Sequence, residues 1–466
     1  MKTIFELFPK LPYLAIGLCA YIGCTDSGHN IEIKIDGLRK SMVYLGYYEG
    51  SNPYIRDSTI VDSKGKARFK GNQNLRKGVY FLYSKERNFS FDFVVTDSKV
   101  SLKTSSKNPL EKLEDLESGD NTIFFQFRKE INDFRKDMEH SGQLLVSAQD
   151  KKDSLGYVIR MKNRELELLE SQKSMISKYE NTTIGYILQY MRLPEQPTLY
   201  PEQWEEPKYQ KKRNLFYREH FFDHLNFNDS LLLRVPILKY RLHEFFDHVV
   251  EQQPDSIIKA MDEMMLKTRV NKAVYKQTLM ELTYKYIAPP ILDQDKAFVH
   301  FADTYLLTQE TLNWINTNMY EHISNITEKM RPNTTGKKAP SLRLNTLNGK
   351  EIDLYSLNAK NMILFFYDPE CDHCIVESKK IRSNYKDLKN KDIEIMGICI
   401  SPDSEKCKQY ASDYNINWVN VLGSKNNTGY REKYNIFAAP ILFLLDHKKR
   451  IIAKATNFDQ ITRQLP

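Results

Sequence analysis

The sequence predicts a multidomain chain: an N-terminal antiparallel β domain, a central all-α region and a C-terminal α/β domain. Three observations carry that prediction. At about 150 residues per domain, 466 residues amount to roughly three cores. Apolar side chains recur with a period of two up to about residue 105, then with a helical period from about 110 to 330. After the Pro/Gly/Thr/Lys segment 331–338, wholly apolar runs alternate with helical stretches. The expected boundaries are 1–23 for a signal peptide, 24–108 for a β-sandwich-like domain, 109–330 for the helical domain, 331–338 for a linker and 339–466 for the α/β domain.

Composition agrees with folded domains and excludes several classes. Hydrophobic residues make up 41% and charged residues 27%, while 18 Gly and 18 Pro are too few for a low-complexity or collagen-like chain. The net charge of +8 is mild and spread over the whole length, so no nucleic-acid partner is expected. Six cysteines exclude a disulfide-dense scaffold and leave room for one or two specific thiol sites.

The amino terminus sets the compartment. Leu11–Gly23 is a 13-residue apolar stretch after Lys2 and Lys10, too short to span a bilayer and suited to the core of a secretory signal. No later stretch reaches 18 apolar residues. Gly23 before Cys24 resembles a bacterial lipobox, which implies cleavage before Cys24 and its lipidation. Tyr21 departs from the Leu usual three places before that cysteine, and a plain cleaved signal or an unprocessed helix are the alternatives. Cys19 follows Leu18 and fits less well. The expected location is the cell envelope, lipid-anchored and facing the periplasm or the surface, where cysteines meet oxidising conditions.

Within the β domain, Ile31–Ile35, Met42–Tyr48, Thr59–Phe69, Val79–Tyr83 and Phe89–Val95 alternate apolar with polar residues. Gly37, Gly50, Gly65 and Gly78 punctuate them as turns would. No catalytic constellation lies there. In the helical region Ile123, Phe124, Phe127, Ile131 and Phe134 share one face, and Arg160–Tyr179 reads as a long charged helix. Breaks are expected at Pro194–Pro197, Pro236 and Pro289-Pro290. Lys208–Arg213 is a basic run among aromatics, read as a solvated helix face over an RNA-binding patch. His220 and His224 are four apart, as paired metal ligands would be. His243-Glu244 lacks the second His of a zinc-protease motif, because Asp247 stands in its place. Packing among neighbouring phenylalanines is the preferred reading for these histidines, and no metal site is expected.

The α/β domain carries the chemistry. Met362–Tyr367 is a wholly apolar run, suited to a strand buried on both faces. Asp368-Pro369-Glu370-Cys371-Asp372-His373-Cys374 follows, and then a helical stretch from Ile375 to Leu388. A cysteine at a helix start meets unpaired N–H groups and the positive end of the dipole, which favour thiolate. Cys374, one turn on, can attack a mixed disulfide formed at Cys371, so the pair can exchange disulfides with another thiol protein. Half a zinc site is the alternative, but no second CxxC exists to complete four ligands.

With those residues in view, roughly 339–465 resembles a thioredoxin-fold domain of the TlpA/ResA type of membrane-tethered thiol–disulfide oxidoreductases. The matching features are Ala339-Pro340 with Gly349-Lys350, the strand before Cys371, the CxxC, and Tyr434–Ile436 leading into Ala439-Pro440. The resemblance implies a cis Pro440 that shapes a substrate groove beside the redox-active Cys371–Cys374 pair. It also implies a buried Glu377 assisting proton transfer at Cys374, a role that suits a desolvated carboxylate. A solvent-facing Glu377 is the alternative. Glu370, His373, Lys379 and Ile441 depart from the family's usual residues. His373 favours thiolate on Cys371 while Asp368, Glu370 and Asp372 oppose it, which leaves the redox direction open. Cys399 and Cys407 read as buried thiols or an auxiliary disulfide. The first two regions resemble, more faintly, uncharacterised domains preceding thioredoxin modules in some Gram-negative lipoproteins.

The expected function is therefore a membrane-anchored thiol–disulfide oxidoreductase without a cofactor. Its partners would be thiol or disulfide proteins and a membrane or periplasmic electron donor. A thiol peroxidase fits less well, because Asp368 stands where those enzymes place Thr. A binding or scaffold lipoprotein with an ancillary thioredoxin domain is the alternative from another class.

Overall fold

In the computed structural model the described residues are 28–50, 52–85, 89–148, 150–194, 207–288, 292–423 and 429–465. The signal segment 1–23, Cys24 and the Pro289-Pro290 break lie outside them. The chain divides into two units, Met1–Val250 with Met265–Thr278, and Glu251–Met264 with Leu279–Pro466. Among the described residues no helix is long and apolar enough to cross a membrane.

The first unit begins with β1 (His29–Asp36), β2 (Met42–Glu49), β3 (Asn52–Ile60), β4 (Lys66–Gly71), β5 (Gly78–Ser84), β6 (Phe89–Val95), β7 (Lys99–Ser105) and β8 (Glu114–Asp115). They form two four-stranded sheets, ordered β4-β1-β7-β8 and β3-β2-β5-β6. Period-two patterning fixes their faces, since Ile31, Ile33 and Ile35 are all fully buried along β1. All pairings are antiparallel except β1 with β7. That pair is parallel because the chain passes through the other sheet before it returns, and such a connection needs length. The expected segment Thr59–Phe69 is two strands. Asp62 Oδ1 accepts the N–H groups of Lys64 (2.8 Å) and Lys66 (2.9 Å), and Gly65 has φ +81°, so the chain reverses between β3 and β4.

Two 28-residue helices follow, α1 (Asp120–Ser147) and α2 (Lys151–Lys178). Phe124, Phe127 and Ile131 of α1 and Leu168 and Leu169 of α2 are buried, while Arg164 Nε bonds Asp137 at 2.8 Å and Ser171 Oγ donates to Glu130 at 2.8 Å across the hairpin. Then come α3 (Thr183–Met191), α4 (Pro207–His220) and α5 (Leu238–Glu244). The basic run 208–213 lies on α4. His220 Nδ1 is 2.6 Å from Asp223 Oδ2, whereas His224 is buried, and burial with Arg241 and Arg192 nearby pushes its imidazole down to about 2. Among the described residues no group of three or more His, Cys, Asp or Glu could hold a metal ion. Helices α6 (Pro254–Thr268) and α7 (Lys272–Tyr286) contribute residues to both units.

The second unit adds α8 (Asp295–Phe301), α9 (Gln309–Leu312) and α10 (Thr317–Met330). Its sheet is built from β9 (Arg343–Thr346), β10 (Glu351–Asp353), β11 (Asn361–Tyr367), β12 (Ile393–Cys399), β13 (Val419–Leu422), β14 (Ile441–Asp446) and β15 (Ile451–Ala455), in the order β10-β9-β13-β12-β11-β14-β15. Helices α11 (Asp372–Asn390), α12 (Ser404–Asp413), α13 (Gly429–Tyr434) and α14 (Phe458–Thr462) complete it. Strand β11 pairs in parallel with β12 and antiparallel with β14, the mixed α/β arrangement expected of the C-terminal domain. All seven of its side chains are buried. Met362, Leu364 and Phe366 enter one core with Tyr430 and Tyr434. Ile363, Phe365 and Tyr367 enter the other with Cys374, Ile381 and Tyr410.

The segment that follows α10 and the start of α8 are both tied to the sheet of this unit. Gly336 N–H donates to Ile451 O, Ile451 N–H to Lys337 O and Ala339 N–H to Lys449 O, each at 2.8 Å. Lys454 on β15 forms a buried ion pair with Asp295 at the start of α8, and Thr335 Oγ1 donates to Asp293 at 2.7 Å. Burial pushes the Asp295 carboxyl up to about 6, with Lys454 opposing that rise. Because the folded value exceeds the ordinary 3.8, this group favours the folded state below about pH 4, and the contribution is lost as pH rises through about 6. Asp295→Asn, which leaves Lys454 buried without a counter-charge, should cost about 3–5 kcal/mol in denaturant unfolding. The pair Asp295→Leu with Lys454→Met should recover most of that and flatten the pH 4–6 slope.

Candidate active site

The apolar run of β11 carries the chain through the core and releases it after Tyr367, at the C-terminal end of the strand. Asp368 turns it, accepting Glu370 N–H on its side chain (3.0 Å) and Cys371 N–H on its carbonyl (3.2 Å). Cys371 is the N-cap of α11, in extended conformation, and its carbonyl accepts Ile375 N–H at 3.2 Å. Its side chain makes no hydrogen bond to the first-turn amides, but the N-cap position sets the residue at the end of α11 where the positive field of those amides suits a negative charge.

The two cysteines are free thiols with different surroundings. Cys371 is half-buried, and its Sγ donates to the Ala439 carbonyl at 3.5 Å. That residue precedes Pro440, and the Ala439–Pro440 peptide is cis. Cys374 is 0% exposed. Its Sγ accepts Asp368 N–H at 3.4 Å. Burial pushes the Cys374 thiol well up, with the Asp368 N–H opposing and a hydrogen bond with Cys371 reinforcing the rise. One sulfur is reachable, and the other is held protonated behind it.

Glu377 is buried on the same face of α11 as Cys374. Its Oε2 accepts Phe458 N–H at 2.6 Å and its Oε1 accepts Lys380 Nζ at 3.1 Å. Lys380 also bonds Asp459 at 2.7 Å. The carboxylate thus ties α11 to the start of α14, and among the described residues none of its hydrogen bonds reaches Cys374. Of the acidic residues flanking Cys371, Glu370 is paired with Lys406 of α12 at 2.7 Å, while Asp372 and the neighbouring His373 are exposed.

Cys399 and Cys407 form a disulfide, which joins the end of β12 to α12. The structure also brings in side chains that the motif did not name. Tyr367 and Tyr410 stack at 4.9 Å in the core that holds Cys374. Tyr367 OH donates to Asn420 at 3.0 Å, and Tyr410 OH and Ser378 Oγ are 2.7 Å apart. The legible signal was the tyrosine closing an apolar strand, since a buried hydroxyl requires a partner. Phe437, two residues before Ala439, is 74% exposed and puts an aromatic ring on the loop that meets Cys371.

Residues 335–454 match the AhpC/TSA family, residues 165–333 a domain of unknown function (DUF5106) and residues 29–122 another (DUF4369). The thiol-disulfide oxidoreductase ResA of Bacillus subtilis is 25% identical over 122 residues, which are 26% of this chain and 67% of ResA. A solved domain of a possible thiol-disulfide isomerase from Cytophaga hutchinsonii is 34% identical, covering 28% of this chain and 88% of that one, with a TM-score of 0.26. A thioredoxin-like protein from Bacteroides caccae is 20% identical, covering 59% of this chain and 96% of its own, with a TM-score of 0.45. The chain therefore carries DUF4369 and DUF5106 domains followed by a thioredoxin-like domain of the AhpC/TSA family, related to the ResA thiol–disulfide oxidoreductases.

Proposed function

We propose that this chain is a lipid-anchored thiol–disulfide oxidoreductase that exchanges disulfides with proteins of the bacterial cell envelope through Cys371 and Cys374. The supporting observation is the asymmetry of the pair, a reachable sulfur at a helix N-terminus backed by a fully buried one. In the reducing direction, the Cys371 thiolate attacks one sulfur of a substrate disulfide and expels the other as a thiolate. Cys374 then attacks Cys371 Sγ, which releases the second substrate thiol and leaves a Cys371–Cys374 disulfide. Two electrons pass to the substrate, and a thiol-class donor in the membrane or periplasm restores the dithiol. The opposite direction runs the same steps backward.

Burial keeps Cys374 protonated, so its proton must leave as it attacks. Glu377 is the proposed acceptor: Lys380 and Phe458 each occupy one site on a different carboxylate oxygen, which leaves each oxygen a further lone pair for the proton. Pro440 has no N–H to offer a partner strand and would form the floor of the groove receiving the substrate. Domain bounds are proposed as 24–108 for the β domain, 109–330 for the helical domain, 331–338 for the connection and 339–466 for the thioredoxin-like domain. The first two domains would select the substrate protein. Cys24 is the proposed lipid attachment, following a signal peptide over 1–23.

Under native conditions a small alkylating agent should modify Cys371 and spare Cys374, as peptide mapping by mass spectrometry would show; equal labelling of both would contradict the assigned roles. Cys371→Ser should reduce disulfide-reductase turnover to background, whereas Cys374→Ser should accumulate a mixed disulfide on Cys371. Equilibration in thiol/disulfide buffers decides the direction: a couple near about −270 mV marks a reductase and one near about −120 mV a disulfide donor. A couple that never cycles sinks the enzyme reading and favours a binding lipoprotein. Cys24→Ala should move the chain from the membrane fraction to the soluble one and abolish incorporation of labelled fatty acid.

A further inference from the structure

The second disulfide lies one side chain away from the redox helix. Cys399 pairs across the sheet with Tyr367, the residue before Asp368, whose N–H is bonded to Cys374. Its partner Cys407 sits in α12, and both sulfur-bearing residues are fully buried. Tyr410 follows Cys407 by three residues and so shares its face of α12. The Tyr410 ring stacks on Tyr367 with planes 23° apart, and its hydroxyl meets Ser378 Oγ at 2.7 Å. Ser378 is buried on α11 four residues after Cys374, on the same face.

A continuous path of covalent and hydrogen bonds thus runs from β12 through the Cys399–Cys407 disulfide to α12, from Tyr410 to Ser378, and into the turn that holds Cys374. Tyr367 OH is committed to Asn420 and Tyr410 OH to Ser378. The rings of both tyrosines belong to the buried cluster that holds Cys374.

We infer that Tyr410 is a positioning residue for the resolving cysteine. Anchored by the Cys399–Cys407 disulfide, it holds through Ser378 the turn of α11 that carries Cys374, and so sets how readily Cys371 and Cys374 close into a disulfide. This rests on the oxidoreductase reading. Closing that bond removes two protons and two electrons from the thiols, and glutathione disulfide can accept them to become two glutathiones. The equilibrium constant of this exchange measures the effective concentration of one thiol at the other, which falls when either is free to move.

The test equilibrates the full chain in glutathione buffers, traps thiols by alkylation and maps both cysteine pairs by mass spectrometry. Tyr410→Phe, which keeps the ring, and Ser378→Ala should each lower the constant for the Cys371–Cys374 disulfide by about tenfold, roughly 30 mV less negative. Cys399→Ala with Cys407→Ala should act in the same direction, and adding Tyr410→Phe to it should change little further. Constants within about twofold of wild type in both single variants would overturn the inference. So would an undiminished Tyr410→Phe effect without the second disulfide. If the double cysteine variant fails to fold, the two single variants, which keep that disulfide, still decide. A wild-type pair that never cycles takes down the functional reading and the inference with it. A cycling pair that is indifferent to Tyr410 and Ser378 removes the inference alone.

Discussion

Strand β11 is buried on both faces, and the geometry of the second unit follows from that constraint. Seven consecutive buried residues cannot lie at a solvated edge, so β12 and β14 flank the strand and a layer of side chains covers each face. Its hydrogen-bonding register puts Tyr367 opposite Cys399 and Phe366 opposite Ile441. The CxxC helix, the second disulfide and the cis-proline loop therefore meet at one end of the sheet. Each reaches that end by its own strand, and none needs a special contact to find the others.

The same unit uses charge at depth, which raises the stakes of two contacts. Lys454 and Asp295 are both nearly inaccessible, and an ion pair in such a place does little for net stability while making the loss of either partner costly. It binds helical residues to β15 as one body with the thioredoxin-like sheet. Glu377 is held in a similar way near the redox pair. Its carboxylate serves the junction of α11 with α14, so a part in proton transfer would have to be shared with a structural one.

Much of this was legible in the sequence, for reasons that are local. A period of two and a period of 3.6 report which faces are buried, so the β, helical and α/β regions could be read in order. The spacing of Cys371 and Cys374 is a local signal, whereas the part of Ala439-Pro440, whose carbonyl meets Cys371 across 68 residues of sequence, was legible only through the family resemblance. The polar strand β7 was harder to see, because only Val100 and Leu102 are apolar in it and its place beside β1 depends on a return through the second sheet. The reversal inside Thr59–Phe69 was legible only in part: Gly65 reads as a turn, but Val61, Ala67 and Phe69 keep the alternation going on both sides of it, so the two strands read as one segment.

The sequence by itself determined the element types, the redox motif and the residues available to it, because hydrophobic burial and backbone preference act over a few residues at a time. Only the tertiary structure decided that Cys399 bonds Cys407, that Tyr410 reaches Ser378, that Glu377 answers to Phe458 and that Lys454 finds Asp295. Most of these partners are separated by dozens of residues or more and carry no periodic signal. They meet because close packing brings buried polar groups together, and a buried polar group left without a partner is too costly to keep.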